Sequence, residues 1–204
     1  MQGPIADEFI SSAQWLVALA GRIEPGQWDR SGLGTWDVRS LLGHAARALV
    51  TVEEYIDRPA EQIDTPTALA YMVMAGTADP SAIAARGVSA GTELGDDPET
   101  HVSDLVTRVS GIVTSASPTL LILTAGGGMT LETYLPTRTV ELVIHGCDLA
   151  AAIGADFDPP IEAAASTARL LTEAHLATDR GVTLCLALSG RPTGPDDLIL
   201  WPSA

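Results

Sequence analysis

The chain has 204 residues, 46% hydrophobic and 18% charged, with 26 Asp or Glu against 11 basic residues and a formal charge of −15. All 11 basic residues are arginine, which excludes a Walker A phosphate loop, a Schiff-base lysine and a Ser-x-x-Lys acylation site. The acidic balance and the scatter of the arginines exclude ordinary nucleic-acid binding, which needs clustered positive charge.

The first segment, from about Gly3 to Arg22, repeats apolar residues at Phe9, Ala13, Leu16, Ala20 and Ile23. Steps of four and three mark one face of a helix, which Pro25-Gly26 ends. A Gly-rich loop carries Trp28 to Trp36. Asp37 then reads as the N-cap of a second helix, traced by Val38, Leu41, Leu42, Ala45, Leu49, Val52 and Ile56 and stopped by Pro59. Shorter helices are predicted from Ala68 to about Gly76 and from Pro80 to about Ser89. A longer one covers Glu99 to Ser115, with Val102, Leu105, Val109, Ile112 and Val113 in phase. Leu120 to Leu123 breaks the pattern as a short strand or extended segment, and Gly126 to Gly128 reads as a flexible loop. Pro136 suits the first turn of the next helix, which is expected to run to about Ile153. A further helix from Ile161 to about Thr178, a short one near Val182 to Leu188 and a tail from Leu198 to Trp201 complete the chain.

These elements describe a mainly all-α protein built on a bundle of long amphipathic helices. A chain of this length is normally one domain, or one with a small appendage. Its nine aromatic residues and 30 alanines point to a core of Leu, Val, Ile and Ala. The two cysteines, Cys147 and Cys185, are too few for a disulfide framework, and no signal peptide is recognised. No apolar run reaches the roughly 18 residues of a membrane span. A cytoplasmic protein with no membrane and no nucleic acid among its partners is expected.

Candidate chemistry centres on one helix. Glu141 and His145 are four residues apart, and at about 100° per residue their heads lie within about 40° of one another. Thr137, Arg138 and Asp148 fall on the same stripe. A Glu and a His from one helix need one more imidazole from a facing helix to complete a three-ligand metal site. His44, flanking the apolar stripe of the second helix beside Leu41 and Ala48, is the natural donor. The competing reading is that the stripe is a solvent-facing helix surface and His44 a hydrogen-bonded histidine at the edge of the core. His101 is placed at the surface, His175 in an ordinary helix-end role and Cys147 in the core. Arg138 either holds a substrate carboxylate or pairs with Glu141. No G-x-G-x-x-G fingerprint occurs.

The block Trp36-Asp-Val-Arg-Ser-Leu-Leu-Gly-His44 and the later block Pro136-Thr-Arg-Thr-Val-Glu141-Leu-Val-Ile-His145-Gly-Cys-Asp148 together resemble the mycothiol-dependent maleylpyruvate isomerase family. The resemblance runs from the first helix to about Gly154. It implies a DinB-like four-helix bundle over residues 1–156, with short extra helices. Residues 157–204 would form a C-terminal extension packed on the bundle. It implies a divalent metal on His44, Glu141 and His145, the trio that the helix geometry proposes. It further implies mycothiol as thiol cosubstrate and an isomerase or S-transferase reaction on a small electrophilic substrate. The absence of lysine fits the GC-rich actinobacteria that make this thiol.

Two imidazoles and a carboxylate leave coordination positions open, as in catalytic zinc, with nickel or iron as alternatives. The ion would hold the thiol as thiolate near neutral pH. Arg138 and Asp148 are candidates for substrate contact, cofactor binding or support of the ligands. Well-defined family members carry a further C-terminal domain that contributes an arginine. Arg191, in Gly190-Arg-Pro, has no context that marks it as the substitute. Other readings are a different DinB-like metalloenzyme, a hydrolase or a non-haem iron enzyme, and a non-catalytic helical binding module. A monomer or homodimer is expected.

Overall fold

A computed structural model describes residues 3–194. Eight helices and two small hairpins are present among them. They run in the order α1 (Pro4–Ala20), β1 (Ser31–Leu33), β2 (Trp36–Asp37), α2 (Val38–Ile56), α3 (Ala68–Ala75), α4 (Pro80–Glu93) and α5 (Pro98–Ser115). β3 (Leu121–Thr124), β4 (Gly127–Thr130), α6 (Leu131–Ile153), α7 (Ile161–Ala177) and α8 (Gly181–Leu188) follow. The mainly helical DinB-like bundle expected from the sequence is the observed architecture. The tail from Leu198 to Trp201 lies outside the described residues.

The bundle comprises α1, α2, α5 and α6. Helix α6 packs between α1 and α2, and α5 closes the other side against the same two helices. Phe9, Leu16 and Leu19 from α1 meet Leu41, Leu42 and Leu49 from α2, Leu105 from α5 and Leu142 from α6 in one buried cluster. These are the periodic apolar positions, so the helix faces follow from the 3.6-residue repeat. The smaller helices are added outside. Helix α4 lies along α2, α3 bridges α6 and α7, and α8 rests on α7. No helix among the described residues is long and apolar enough to cross a membrane.

Helix α2 begins where its cap dictates: the Asp37 carboxylate accepts a hydrogen bond from the Ser40 N–H at 2.7 Å. The region before it is not a plain loop. Ser31–Leu33 and Trp36–Asp37 pair antiparallel, which hands Trp36 and its neighbour directly to the helix.

Three local expectations need correction. Pro136 does not open its helix. Helix α6 starts five residues earlier, at Leu131, with Thr130 as its N-cap accepting from the Thr133 N–H at 3.3 Å, and Pro136 lies inside. The cap at Thr130 sets the start of the helix, and Pro136, its sixth residue, lies past the first turn and forgoes the bond its N–H would make to the Glu132 carbonyl. The Gly126–Gly128 segment is not a flexible loop. Gly127 turns the chain with φ 90°, and Gly127–Thr130 forms β4, paired along its length with β3. A side chain at Gly128 would collide with the Gln62 carbonyl, so glycine there allows the preceding loop to close on the hairpin. Finally, Cys147 is exposed rather than in the core. The buried α6 positions around it are Leu142, Val143, Gly146, Leu149 and Ala150, and Cys147 is exposed among them.

Candidate metal centre

Helices α2 and α6 pack side by side and bring His44 against Glu141 and His145. One ligand atom from each lies within 4.8 Å of the others. Glu141 Oε2 is 3.3 Å from His145 Nε2 and 4.0 Å from His44 Nε2. The imidazole rings stand nearly perpendicular, 83° apart with centroids separated by 4.7 Å. The side chains are buried at their bases yet reachable from solvent, Glu141 being 29% exposed. The stripe on α6 is not a solvent face: Thr137 and Arg138 are buried, and Glu141, His145 and Asp148 are partly buried.

Neighbouring groups set the charge of each member. Asp148, one turn beyond His145, places Oδ2 3.1 Å from His145 Nδ1. That leaves Nε2 directed at Glu141, the carboxylate–histidine arrangement that fixes a ring and raises its basicity. Burial alone would lower the His145 pKa, but the hydrogen bonds to Asp148 and Glu141 and their charges carry it up to about 9. Burial would likewise raise Glu141, but the His145 hydrogen bond and the Arg138 charge bring it down to about 2. His44 goes the other way. Burial, then the charge of His145, lowers it to about 4, so its ring is neutral at pH 7.

Arg138 Nη2 lies 4.0 Å from Glu141 Oε1. Its guanidinium carbon sits 5.0 Å from the Tyr134 ring centre and 5.4 Å from that of Tyr71, and Nε donates to Thr137 Oγ1 at 3.1 Å. The guanidinium is thus within ion-pair range of Glu141 in a buried position. Arg191 lies exposed beyond α8, and its Nη1 donates to the Ser189 carbonyl at 3.2 Å. His101 is exposed, and His175 is buried near the end of α7 with Nδ1 2.7 Å from the Leu171 carbonyl.

Sequence reasoning missed the aromatic groups. Trp36 lies over His44 at 4.3 Å between ring centres, and its edge faces His145 at 6.2 Å. Tyr134 was open to discovery, since it precedes Arg138 by four residues on the same helix. Tyr71 comes from α3 and has no local signal; only the packing of α3 on α6 brings it in.

The donor set fits a divalent transition ion. Two imidazole nitrogens and one carboxylate oxygen are the ligands of many catalytic sites that keep a coordination position open. His44 already has a free lone pair and Glu141 is ionised. Only His145 must give up a proton.

Fold and side chains together define a DinB-like helical bundle with a candidate metal site where two of its long helices meet. The model of one family, the mycothiol maleylpyruvate isomerase N-terminal domain, matches residues 11–150. The chain belongs to that family, and the matched region contains His44, Arg138, Glu141, His145 and Asp148. No curated protein and no solved structure gives a significant match.

Proposed function

We propose that this protein is a metal- and thiol-dependent enzyme, an isomerase or S-transferase that uses mycothiol and acts on a small electrophilic substrate. The observation that carries the reading is the convergence of His44, Glu141 and His145, with ligand atoms within 4.8 Å, in a member of this family. A divalent ion bound there, zinc before nickel or iron, supplies a Lewis acid that favours the thiolate form of the thiol at neutral pH.

The chain's own residues supply the rest. Asp148 takes the Nδ1–H of His145 and keeps Nε2 facing inward. The His145 hydrogen bond and then the Arg138 charge keep Glu141 ionised, and the buried Arg138 guanidinium packs against the Tyr71 and Tyr134 rings. The partial exposure of the Glu141 and His145 side chains keeps the trio in contact with solvent.

Elemental analysis of purified wild type, His44→Ala and His145→Ala tests the assignment. Stoichiometric metal in the wild type, lost in both variants, supports it; metal retained by both would overturn it. Titrating mycothiol into the cobalt-substituted wild type then tests the thiol. A new sulfur-to-cobalt charge-transfer band is expected, and an unchanged spectrum at saturating thiol would refute the thiol dependence.

A further inference from the structure

We infer that Trp36 is the positioning residue for His44, and that a close contact between α2 and α4 holds it there. This rests on the metal reading of the trio.

The three candidate ligands are not oriented by the same means. His145 is held by Asp148, and Glu141 by His145 and Arg138. His44 has no equivalent. Its Nδ1 is buried without a hydrogen-bond partner among the described residues, and its Nε2 is 4.0 Å from Glu141. A ligating histidine ordinarily donates its second nitrogen to an oxygen that fixes the ring. Here a face does that work: the Trp36 indole lies 4.3 Å from the His44 ring at 32°.

The indole is itself anchored. Trp36 is 2% exposed, and its Nε1–H donates to the Ala84 carbonyl of α4 at 2.9 Å. Gly87, on the same helix, has no side chain because the indole occupies that space. One turn on, Gly91 and Gly43 bring α4 and α2 together backbone to backbone. A Cβ on Gly43 would collide with Gly91, and one on Gly91 would stand 2.8 Å from the Ser40 Cα. Helix α4 lies outside the four-helix bundle, yet this contact gives it control of one ligand's orientation. Trp36 enters from β2, one residue before the α2 cap, so hairpin, cap and ligand form one unit.

The test measures cobalt affinity, by competition with a chromogenic chelator, and the cobalt d–d spectrum for wild type, Trp36→Phe, Trp36→Ala, Gly87→Ala and His44→Ala. Trp36→Ala is expected to weaken affinity by about 10- to 100-fold and to alter the d–d bands, the effect typical of losing a ligand's support. Trp36→Phe keeps an aromatic face and is expected to recover part of the loss. Gly87→Ala displaces the indole while improving helix propensity. Its affinity is expected to fall, and because the added Cβ overpacks a buried indole the thermal stability of the metal-free protein is expected to fall with it, so a variant that lowers stability alone is the control. Leu105→Ala, a core change on α5, is expected to lower stability and leave affinity unchanged. Affinities within twofold of wild type for Trp36→Ala and Gly87→Ala, with metal lost from His44→Ala, would overturn the role of Trp36 and leave the trio standing. If Trp36→Ala does not fold, Gly87→Ala decides alone. Stoichiometric metal in His44→Ala would instead refute the underlying site.

Discussion

At pH 7 His145 carries a proton held between Glu141 and Asp148, whereas His44, 4.7 Å away between ring centres, does not. The two histidines therefore respond to pH in opposite senses. His145 binds its proton more tightly folded than unfolded, so its contribution is complete below its ordinary value of 6.5 and is lost as pH rises through about 9. His44 is buried neutral, and its lowered value makes the fold lose stability as pH falls from 6.5 toward about 4. Glu141 adds to the acid loss, since its contribution is present above its ordinary value of 4.5 and disappears as pH falls toward about 2. Urea denaturation of the metal-free protein is thus expected to show greatest stability near neutrality. Asp148→Asn, which removes the largest support of the His145 proton, is expected to move the alkaline loss to lower pH. It is also expected to weaken metal binding by about 10- to 100-fold, read by chelator competition; an unchanged affinity would exclude Asp148 from supporting the ligand. The Glu141 and His145 pair was legible because one helix holds both, and spacing alone specifies their direction. Trp36, Tyr71 and the burial of Arg138 were not, because each depends on which helices become neighbours.

Helix boundaries show how far local chemistry reaches. The start of α2 was readable to the residue because the Asp37 side chain satisfies a backbone N–H that the helix leaves open. Asp37→Ala is expected to cost about 1 kcal/mol of stability, measured by chemical denaturation, while metal stoichiometry stays at the wild-type value. The start of α6 was misread because Thr130, a modest cap, competes in the sequence with a conspicuous proline. The structure places that proline in the helix interior. Pro136→Ala restores an N–H to the helix and is expected to raise the melting temperature, since alanine is far better tolerated in a helix interior. A fall would show that the ring contributes packing that outweighs its backbone cost. Leu120 to Leu123 reads as a short strand or extended segment and β3 lies there, but the β1–β2 hairpin and the partner strand β4 were hidden for a different reason. β1, β2 and β4 are only two to four residues long, glycine interrupts β1 and β4, and none has the alternation by which a strand is recognised.

The whole bundle was legible as a helical architecture because its four long helices each bury a periodic apolar face, and one family model spans that region. The addition of α7 and α8 was foreseeable as helices, but their placement was not: α7 packs on α6, α3 and α1 through contacts with no local pattern. If the trio binds an ion only in the folded state, the ion stabilises the fold by mass action, about 2.7 kcal/mol at a concentration 100 times the dissociation constant. Chelation is expected to lower the wild-type melting temperature reversibly in a differential scanning experiment, with no such shift in His145→Ala. Equal shifts in both would place the stabilising ion elsewhere. The distribution of donors between two helices also has a kinetic side. Glu141 and His145 are neighbours as soon as one turn of α6 forms, whereas His44 comes from the opposite half of the chain and arrives only when a long loop has closed. An unfolded chain with a nascent α6 thus offers a two-point foothold, and docking of α2 completes the clamp. Excess metal during refolding would then load the chain early and weakly, and the rate at which the grip tightens would report the moment the two halves meet.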